Sequence, residues 1–283
     1  MPARLTKNDD QLLRYLVDFY YLKPSQLAEL VGRPRRKVQQ RLRMLRSGRV
    51  RDGKFVEGLS LTRSLPQPFS RFGEEVWYLT QSAWDYAYEA KGWISELVHA
   101  NDEKSVMKLP HDLLISDYHM LLYRTFGEKL IWSQHRYVVY ERFGPAPDDK
   151  IYADAFFYLD NATSFPSFFL EIENSAENKY DSEGRSSRVR KCESYVKFLE
   201  SGAFEEKFRY PDFRVILLVP SPREARNFAA KLHKLGGALD SSKFWITDFE
   251  RAFSSDPYGY ITPKDYEQRT YSLDDVQQLS EGA

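Results

Sequence analysis

The side chains of this chain best suited to chemistry are Asp154, Glu171, Glu173 and Lys191. Three carboxylates and an ammonium are the groups with which proteins hold an oxygen-preferring divalent cation and offset charge on a phosphate. Asp154 lies in the run IYADAFFYLD and the two glutamates in PSFFLEIENS, both rich in aromatic and branched residues. Asp160-Asn161-Ala162-Thr163-Ser164 supplies turn chemistry between them, which predicts a β-hairpin. Closed across Leu159 and Pro166, antiparallel pairing puts Asp154 opposite Glu171 and Glu173 opposite Tyr152, with neighbours about 5 Å apart. Side chains alternate along a strand, so the three carboxylates share one face. Ala153, Ala155, Phe157, Leu159, Phe168, Leu170 and Ile172 form an apolar set on the other. Carboxylates this close raise one another's pKa unless a cation lies between them, and the natural occupant is Mg²⁺ bound through oxygen. Taken alone, Asp154 also suits a solvent-facing strand with scattered acids.

The elements that must position these groups are readable on either side of the hairpin. Leu109-Pro110-His111-Asp112 opens a helix that runs to about Phe126 and stops at Gly127. Leu130–Trp132 and Arg136–Tyr140 read as extended. After the hairpin, Ser182 to Ser187 form the polar entry to a helix on which Val189, Cys192, Val196 and Leu199 make an apolar stripe. Lys191 flanks that stripe beside Tyr195 and points toward the edge of the sheet. Phe213–Val219 is a continuous apolar strand of the kind buried on both faces. Pro222–Lys234 follows as a helix and Lys243–Thr247 as a last strand. The order predicts a mixed sheet flanked by helices.

The chain of 283 residues is long enough for two domains of the usual 100 to 200 residues or so. With 42% hydrophobic and 15% aromatic residues it can bury a core. No run of about 18 apolar residues exists and the start, MPARLTKNDD, lacks an apolar signal core, so neither membrane insertion nor secretion is expected. The single cysteine, Cys192, excludes an internal disulfide and a Cys-rich zinc site, and a cytoplasmic protein is the simplest reading.

A formal net charge of zero conceals an asymmetry. Residues 1–60 hold 14 Lys and Arg against 6 Asp and Glu, a balance of +8 that the remainder cancels. Most of it falls between Arg33 and Lys54, a basic block that predicts a polyanionic partner for this part only. Thr6-Lys7-Asn8-Asp9 starts a helix with Leu12, Leu13, Leu16 and Val17 at helical spacing. Pro24 to Val31 makes a second, stopped by Gly32, and Pro34 to Ser47 a third. Three short helices with a tight second-to-third turn are the mark of a helix-turn-helix, whose last helix enters the DNA major groove. Val38, Leu42 and Leu45 form its apolar side. Arg33, Arg35, Arg36, Lys37, Gln39, Gln40, Arg43 and Arg51 are the expected DNA-binding residues, with Arg and Gln forks able to read base edges. Arg49-Val50-Arg51 and Glu75–Leu79 read as two strands of a wing, joined by a loop containing Gly53 and Gly58, and Ser82–Lys91 as a helix packed back on it. An ordinary three-helix bundle with a basic solvated helix is the plainer alternative. The expected organisation is a winged helix-turn-helix domain over residues 1–100, a mixed α/β domain over 101–255 and a tail over 256–283, an α+β chain.

An Asp on the second strand, Glu-x-Glu on the third and a Lys on the following helix resemble the restriction-endonuclease-like PD-(D/E)xK nuclease fold. With the winged helix in front, the chain resembles the replication-relaxation family, which includes MobC-type relaxases that nick plasmid DNA for mobilisation. The motifs carrying this are Leu-Pro-His111-Asp-Leu, Tyr-Ala-Asp154-Ala, Phe-Leu-Glu171-Ile-Glu173 and Arg-Lys191-Cys-Glu-Ser-Tyr195, across residues 8–250. The resemblance implies Asp154, Glu171, Glu173 and Lys191 as the catalytic set and the three carboxylates as ligands of Mg²⁺ or Mn²⁺. It further implies double-stranded DNA at an origin-like site as partner, a homodimer, and mobilisation accessory or coupling proteins. Glu173 stands where the broader nuclease pattern has a Lys; Lys191, or its competitor Lys179, takes that role. A tyrosine nucleophile of the His-hydrophobe-His type is disfavoured, because the five histidines include no His-x-His pair. His111 at a helix start is given no catalytic role. The other class of function compatible with these residues is a site-specific DNA-binding regulator or replication initiator without catalysis.

Overall fold

The structure, a computed structural model, describes residues 5–47, 55–60, 75–94, 109–134, 139–160, 167–173, 187–253, 260 and 262–263. The chain forms two compact units, Met1–Met120 and Leu121–Ala283. The domain boundaries expected at residues 100 and 255 lie outside the described residues.

In the first unit Thr6 opens α1 (Lys7–Phe19) through a capping box: its backbone N–H donates to Asp9 Oδ2 at 2.6 Å, and the Asp9 N–H donates to its hydroxyl. Pro24, pre-shaped for a first turn, starts α2 (Pro24–Leu30). Gly32 then adopts φ +61°, which a residue without Cβ takes at little cost, and turns the chain into α3 (Arg35–Arg46). Leu12, Leu16, Leu27, Val38, Leu42 and Leu45 are all buried. Strands β1 (Val56–Ser60) and β2 (Glu75–Leu79) pair antiparallel, and the backbone of Trp77 in β2 also exchanges two hydrogen bonds with Leu22. The strand that pairs with β2 therefore contains Gly58, which the sequence places in a loop; the strand expected at Arg49–Arg51 lies outside the described residues. The helix expected over Ser82–Lys91 begins as α4 (Gln81–Asp85) and continues as a π-helical turn over Tyr86–Ala90. α5 (Leu109–Phe126) ends at Gly127, as its sequence predicts.

The second unit contains β3 (Leu130–Ser133), β4 (Tyr140–Arg142), β5 (Lys150–Tyr152), β6 (Ala155–Leu159) and β7 (Ser167–Ile172). Helices α6 (Ser187–Glu200) and α7 (Ala203–Phe208) lead to β8 (Arg214–Val219), and α8 (Pro222–Leu235) leads to β9 (Phe244–Asp248) and α9 (Phe249–Ala252). The central sheet has the order β3-β6-β7-β8-β9, with β6 antiparallel to both neighbours and β7, β8 and β9 mutually parallel. This is the mixed sheet that the order of elements predicts. Parallel strands need crossovers, and α6, α7 and α8 supply them, packing on one face around Phe169, Val215, Leu217 and Ile246. On the opposite face Phe157 stacks on Phe168, and Trp245 and Tyr260 extend the row through tilted ring contacts.

Three expectations need correction. The strand expected through Ile151–Leu159 is two strands. The Ala153 N–H donates to Val139 and the Asp154 N–H to Leu170, so within two residues the backbone changes partner from the β4–β5 ribbon to the central sheet, and Asp154 sits at the bend. The face expected to carry open carboxylates is covered, because the crossover after β7 lays α6 over it and every residue of β7 is buried. The buried stripe of α6 runs through Val189, Cys192, Tyr195 and Phe198, whereas Val196 and Leu199 are only half-buried. Among the described residues, no helix is long and apolar enough to cross a membrane.

Candidate functional site

The β6–β7 register pairs Ala155 with Leu170 and Phe157 with Phe168, which sets Asp154 opposite Glu171 as the turn chemistry predicts. Asp154 Oδ2 accepts the N–H of Ile172 at 2.7 Å, so the aspartate is tied to the strand beside it. Glu171 points to the helix-covered face and Glu173 follows the end of β7, its N–H donating to Leu218 of β8. From α6, Lys191 Nζ reaches Glu171 Oε2 at 2.8 Å and Glu173 Oε1 at 3.2 Å. The hydroxyl of Tyr195 donates to Glu171 Oε1 at 2.7 Å. Lys191 thus bridges two of the three carboxylates expected to meet it, and the third flanks Glu171 across the register.

Two further residues belong to this cluster: Tyr195, which the sequence places beside Lys191 without a role, and Arg188, which it does not mark. Arg188 Nε stands 3.5 Å from Glu173 Oε2, and its guanidinium also donates to Glu224 of α8 at 3.1 Å. Arg188, Lys191 and Tyr195 are spaced three and four residues apart, the interval that aligns side chains on one helix face. That spacing was available in the sequence, but the apolar stripe drawn through Val196 and Leu199 turned the helix by about one position and hid it. Lys179 lies outside the described residues.

The electrostatics follow from burial. Glu171 has 1% of its side chain exposed, and Lys191 has 36%, so the pair runs from a dry carboxylate to an ammonium at the rim. Burial pushes the Glu171 carboxyl up to about 7; Lys191 opposes the rise and Asp154 adds to it. For Lys191 burial acts downward, but Glu171, Glu173 and Asp154 together outweigh it and hold the ammonium above its usual range. A general base needs the opposite shift, so Lys191 in this arrangement is a source of positive charge. Burial, with the charge of Glu171 beside it, raises the Tyr195 phenol well above its usual value, so this hydroxyl remains a donor. Cys192 is buried and its thiol is likewise pushed up, far from the thiolate a nucleophile needs.

The donor set suits an oxygen-preferring cation in type, and Glu171 and Glu173 converge on one point. That point is occupied by Lys191 Nζ. Among the described residues, no three His, Cys, Asp or Glu side chains are gathered as a metal site. A divalent ion bound between the two glutamates would therefore compete with the lysine.

In the first unit, Arg33, Arg35, Arg36, Lys37, Gln40 and Arg43 are exposed on or just before α3, and Gln39 is half-buried. Arg51 lies outside the described residues. Arg33 is braced by Asn8, whose side-chain oxygen accepts from it at 2.6 Å. Arg41 has a different role: it forms a paired contact with the fully buried carboxylate of Asp9 at the start of α1. A cavity of about 300 Å³ between α1 and α3 is bordered by Asn8, Arg33 and Lys37, and one of about 420 Å³ in the second unit by Arg190, Glu193 and Lys197. Neither is lined by the carboxylate cluster.

No protein-family model, no curated protein and no solved structure matches this chain.

Proposed function

We propose that the protein is a DNA-acting phosphodiesterase: a winged helix-turn-helix in the first unit binds a specific double-stranded site, and a nuclease-like second unit nicks it. The observation that carries this reading is Lys191 held between Glu171 and Glu173, with Asp154 across the register, at the end of a mixed sheet. Meander strands β3, β6 and β7 followed by a helix and parallel β8 support a restriction-endonuclease-like reading of the second unit. Three helices, an antiparallel β1–β2 pair and an exposed basic α3 support the winged-helix half.

In this reading the first step is docking of the duplex on α3, through Arg35, Arg36 and Arg43 on phosphates and base edges. Scissile phosphate then approaches Lys191, whose charge offsets the negative charge that grows on the phosphate oxygens. Glu173, at the rim, is placed to orient an attacking water, and Tyr195 and Arg188 keep the two glutamates aimed. Asp154, Glu171 and Glu173 would hold Mg²⁺ or Mn²⁺, which supplies Lewis acidity at the phosphate when bound. Plasmid mobilisation or replication is the setting that the family resemblance proposes.

The test is conversion of supercoiled DNA carrying the neighbouring intergenic region into open circles with Mg²⁺ or Mn²⁺. Wild type is expected to nick, and Asp154→Ala to abolish nicking with binding retained. One observation favours a second reading. Both oxygens of the enclosed Glu171 are engaged by protein donors, as in a structural ion-pair network, and a protein that binds the site without nicking under any of these conditions is a DNA-binding regulator.

A further inference from the structure

The β4–β5 ribbon carries features that the proposed cleavage does not use. Val139, Ile151 and Ala153 are buried in the core, so the alternating positions Tyr140, Arg142, Lys150 and Tyr152 share the outward face. In the register Tyr140 pairs with Tyr152 and Arg142 with Lys150. Among the described residues, Tyr152 is the most exposed of the large hydrophobic side chains, at 64%. The ring of Tyr140 meets it at 6.1 Å and an interplanar angle of 68°, an edge contact that braces the Tyr152 ring. Arg142 and Lys150 place like charges directly opposite one another, a cross-strand pairing that destabilises a ribbon unless an anion lies on it. Asp149, the acid next to Lys150 in the adjoining loop, is engaged elsewhere, its Oδ2 accepting the Ala146 N–H at 2.9 Å and its Oδ1 standing 3.8 Å from Lys197 Nζ. The Arg142 guanidinium donates to the Pro145 carbonyl at 3.1 Å and keeps its other N–H groups for a ligand. A single exposed aromatic is ordinary on protein surfaces. An exposed, braced ring with two opposed cations on the same narrow face is a match for a base and its phosphates.

We propose that this ribbon is a docking platform for single-stranded DNA: one unpaired base stacks on Tyr152, and the adjoining phosphates lie on Arg142 and Lys150. Nucleic-acid-binding proteins grip single strands by this combination of aromatic stacking and a cationic track. Tyr152 precedes Asp154 by two residues, at most about 7 Å of extended chain, so a base held here lies close to one member of the carboxylate cluster. The inference deepens the nuclease reading and rests on it, since it names the form of substrate presented to that site: a melted strand next to the bond to be cut.

The experiment uses the full chain carrying Arg35→Glu, Arg36→Glu and Arg43→Glu, so that duplex binding through α3 does not contribute, in EDTA so that no cleavage occurs. The probe is an oligothymidylate with one 2-aminopurine, read by fluorescence polarisation for affinity and by quenching for stacking. Quenching by this protein, lost in Tyr152→Ala with affinity reduced on the order of tenfold and kept in Tyr152→Phe, is the expected result. Arg142→Glu with Lys150→Glu is expected to weaken binding and flatten its salt dependence. Unchanged affinity and quenching in Tyr152→Ala would overturn the proposal, as would binding by duplex equal to that by single strand. Neither readout involves cleavage. Stacking without any nicking by wild type sinks the nuclease reading alone, and metal-dependent nicking with no role for Tyr152 sinks the platform alone.

Discussion

Tyr195 and Lys191 stand one helical turn apart on α6 and divide the carboxylate of Glu171 between them, the phenol on Oε1 at 2.7 Å and the ammonium on Oε2 at 2.8 Å. A buried carboxylate supplied on both oxygens is held in one orientation, and each donor can be removed separately.

Tyr195→Phe keeps the ring in the core and removes only the hydroxyl. Glu171 Oε1 is then left without its donor in a dry site, and the expected cost is about 1–3 kcal/mol, read as a lower urea midpoint with unchanged slope. An unaltered midpoint would mean that the hydroxyl does not hold Glu171.

Lys191→Met removes the cation and retains the aliphatic stem. Because Lys191 is 36% exposed the attraction is screened, and the loss is expected at about 1–2 kcal/mol instead of the larger figure for a fully buried pair. Combined with Glu171→Gln, which removes the charge that would be stranded in the driest position, the double variant is expected to lose less than the two single losses added together. Additive losses would show that the two groups do not interact.

The arginines around α3 divide into two kinds. Reversing Arg35, Arg36 and Arg43 to Glu is expected to abolish binding to the cognate duplex and leave the unfolding transition within about 0.5 kcal/mol of wild type, because these side chains are exposed. Arg41→Gln is expected to do the opposite first. It leaves the fully buried Asp9 uncompensated and lowers stability by about 2 kcal/mol. Binding retained in the triple variant would move recognition away from this helix.

Acid acts on the first unit through His119 and Asp9. His119 is buried and stacked on Phe19 at 3.8 Å, and burial holds its pKa well below 6.5. The unfolded chain takes up a proton below 6.5 that the folded chain refuses, so stability falls as pH drops through that range, by up to about 1.4 kcal/mol per pH unit. The stability difference between His119→Phe and wild type is therefore expected to shift in favour of the variant from pH 7 to pH 5. Asp9 follows at lower pH. Burial raises its pKa, but Arg41 and Thr6 overcome that and hold it below 3.8. The stabilisation it gives is complete above the ordinary carboxylate value and is lost as pH falls from there through the depressed one. Urea midpoints for wild type, His119→Phe and Asp9→Asn across pH 3 to 8 check both. A constant difference from pH 7 to 5 would mean that His119 titrates equally in both states.

Local pattern was enough for much of this chain. Apolar periodicity, the Thr6 cap, Pro24, Gly32 and Gly127 placed α1, α2, α3 and the end of α5, because caps and turns are settled by neighbours within a few residues. Alternation and turn chemistry fixed the β6–β7 register, since a slip of one residue would turn every side chain to the wrong face. Charge spacing located the exposed arginines of α3 and the carboxylates later gathered at Lys191.

What the sequence could not decide was which surfaces meet. Whether Glu171 faces water or a helix depends on where the β7–β8 crossover lies, and its neighbours in the chain do not encode that. Laying α6 over this face buried Glu171, brought Tyr195 to Glu171 and Arg188 to Glu173 from the same helix, and filled the gap between two carboxylates with Lys191 instead of leaving it open. The bend at Asp154, where backbone bonds pass from Val139 to Leu170, is likewise a choice between two partners distant in the chain. Patterning along the chain sets which side chains can share a face; the pairing of distant strands and the path of a crossover set which faces are covered, and with them the surroundings of the charged groups beneath.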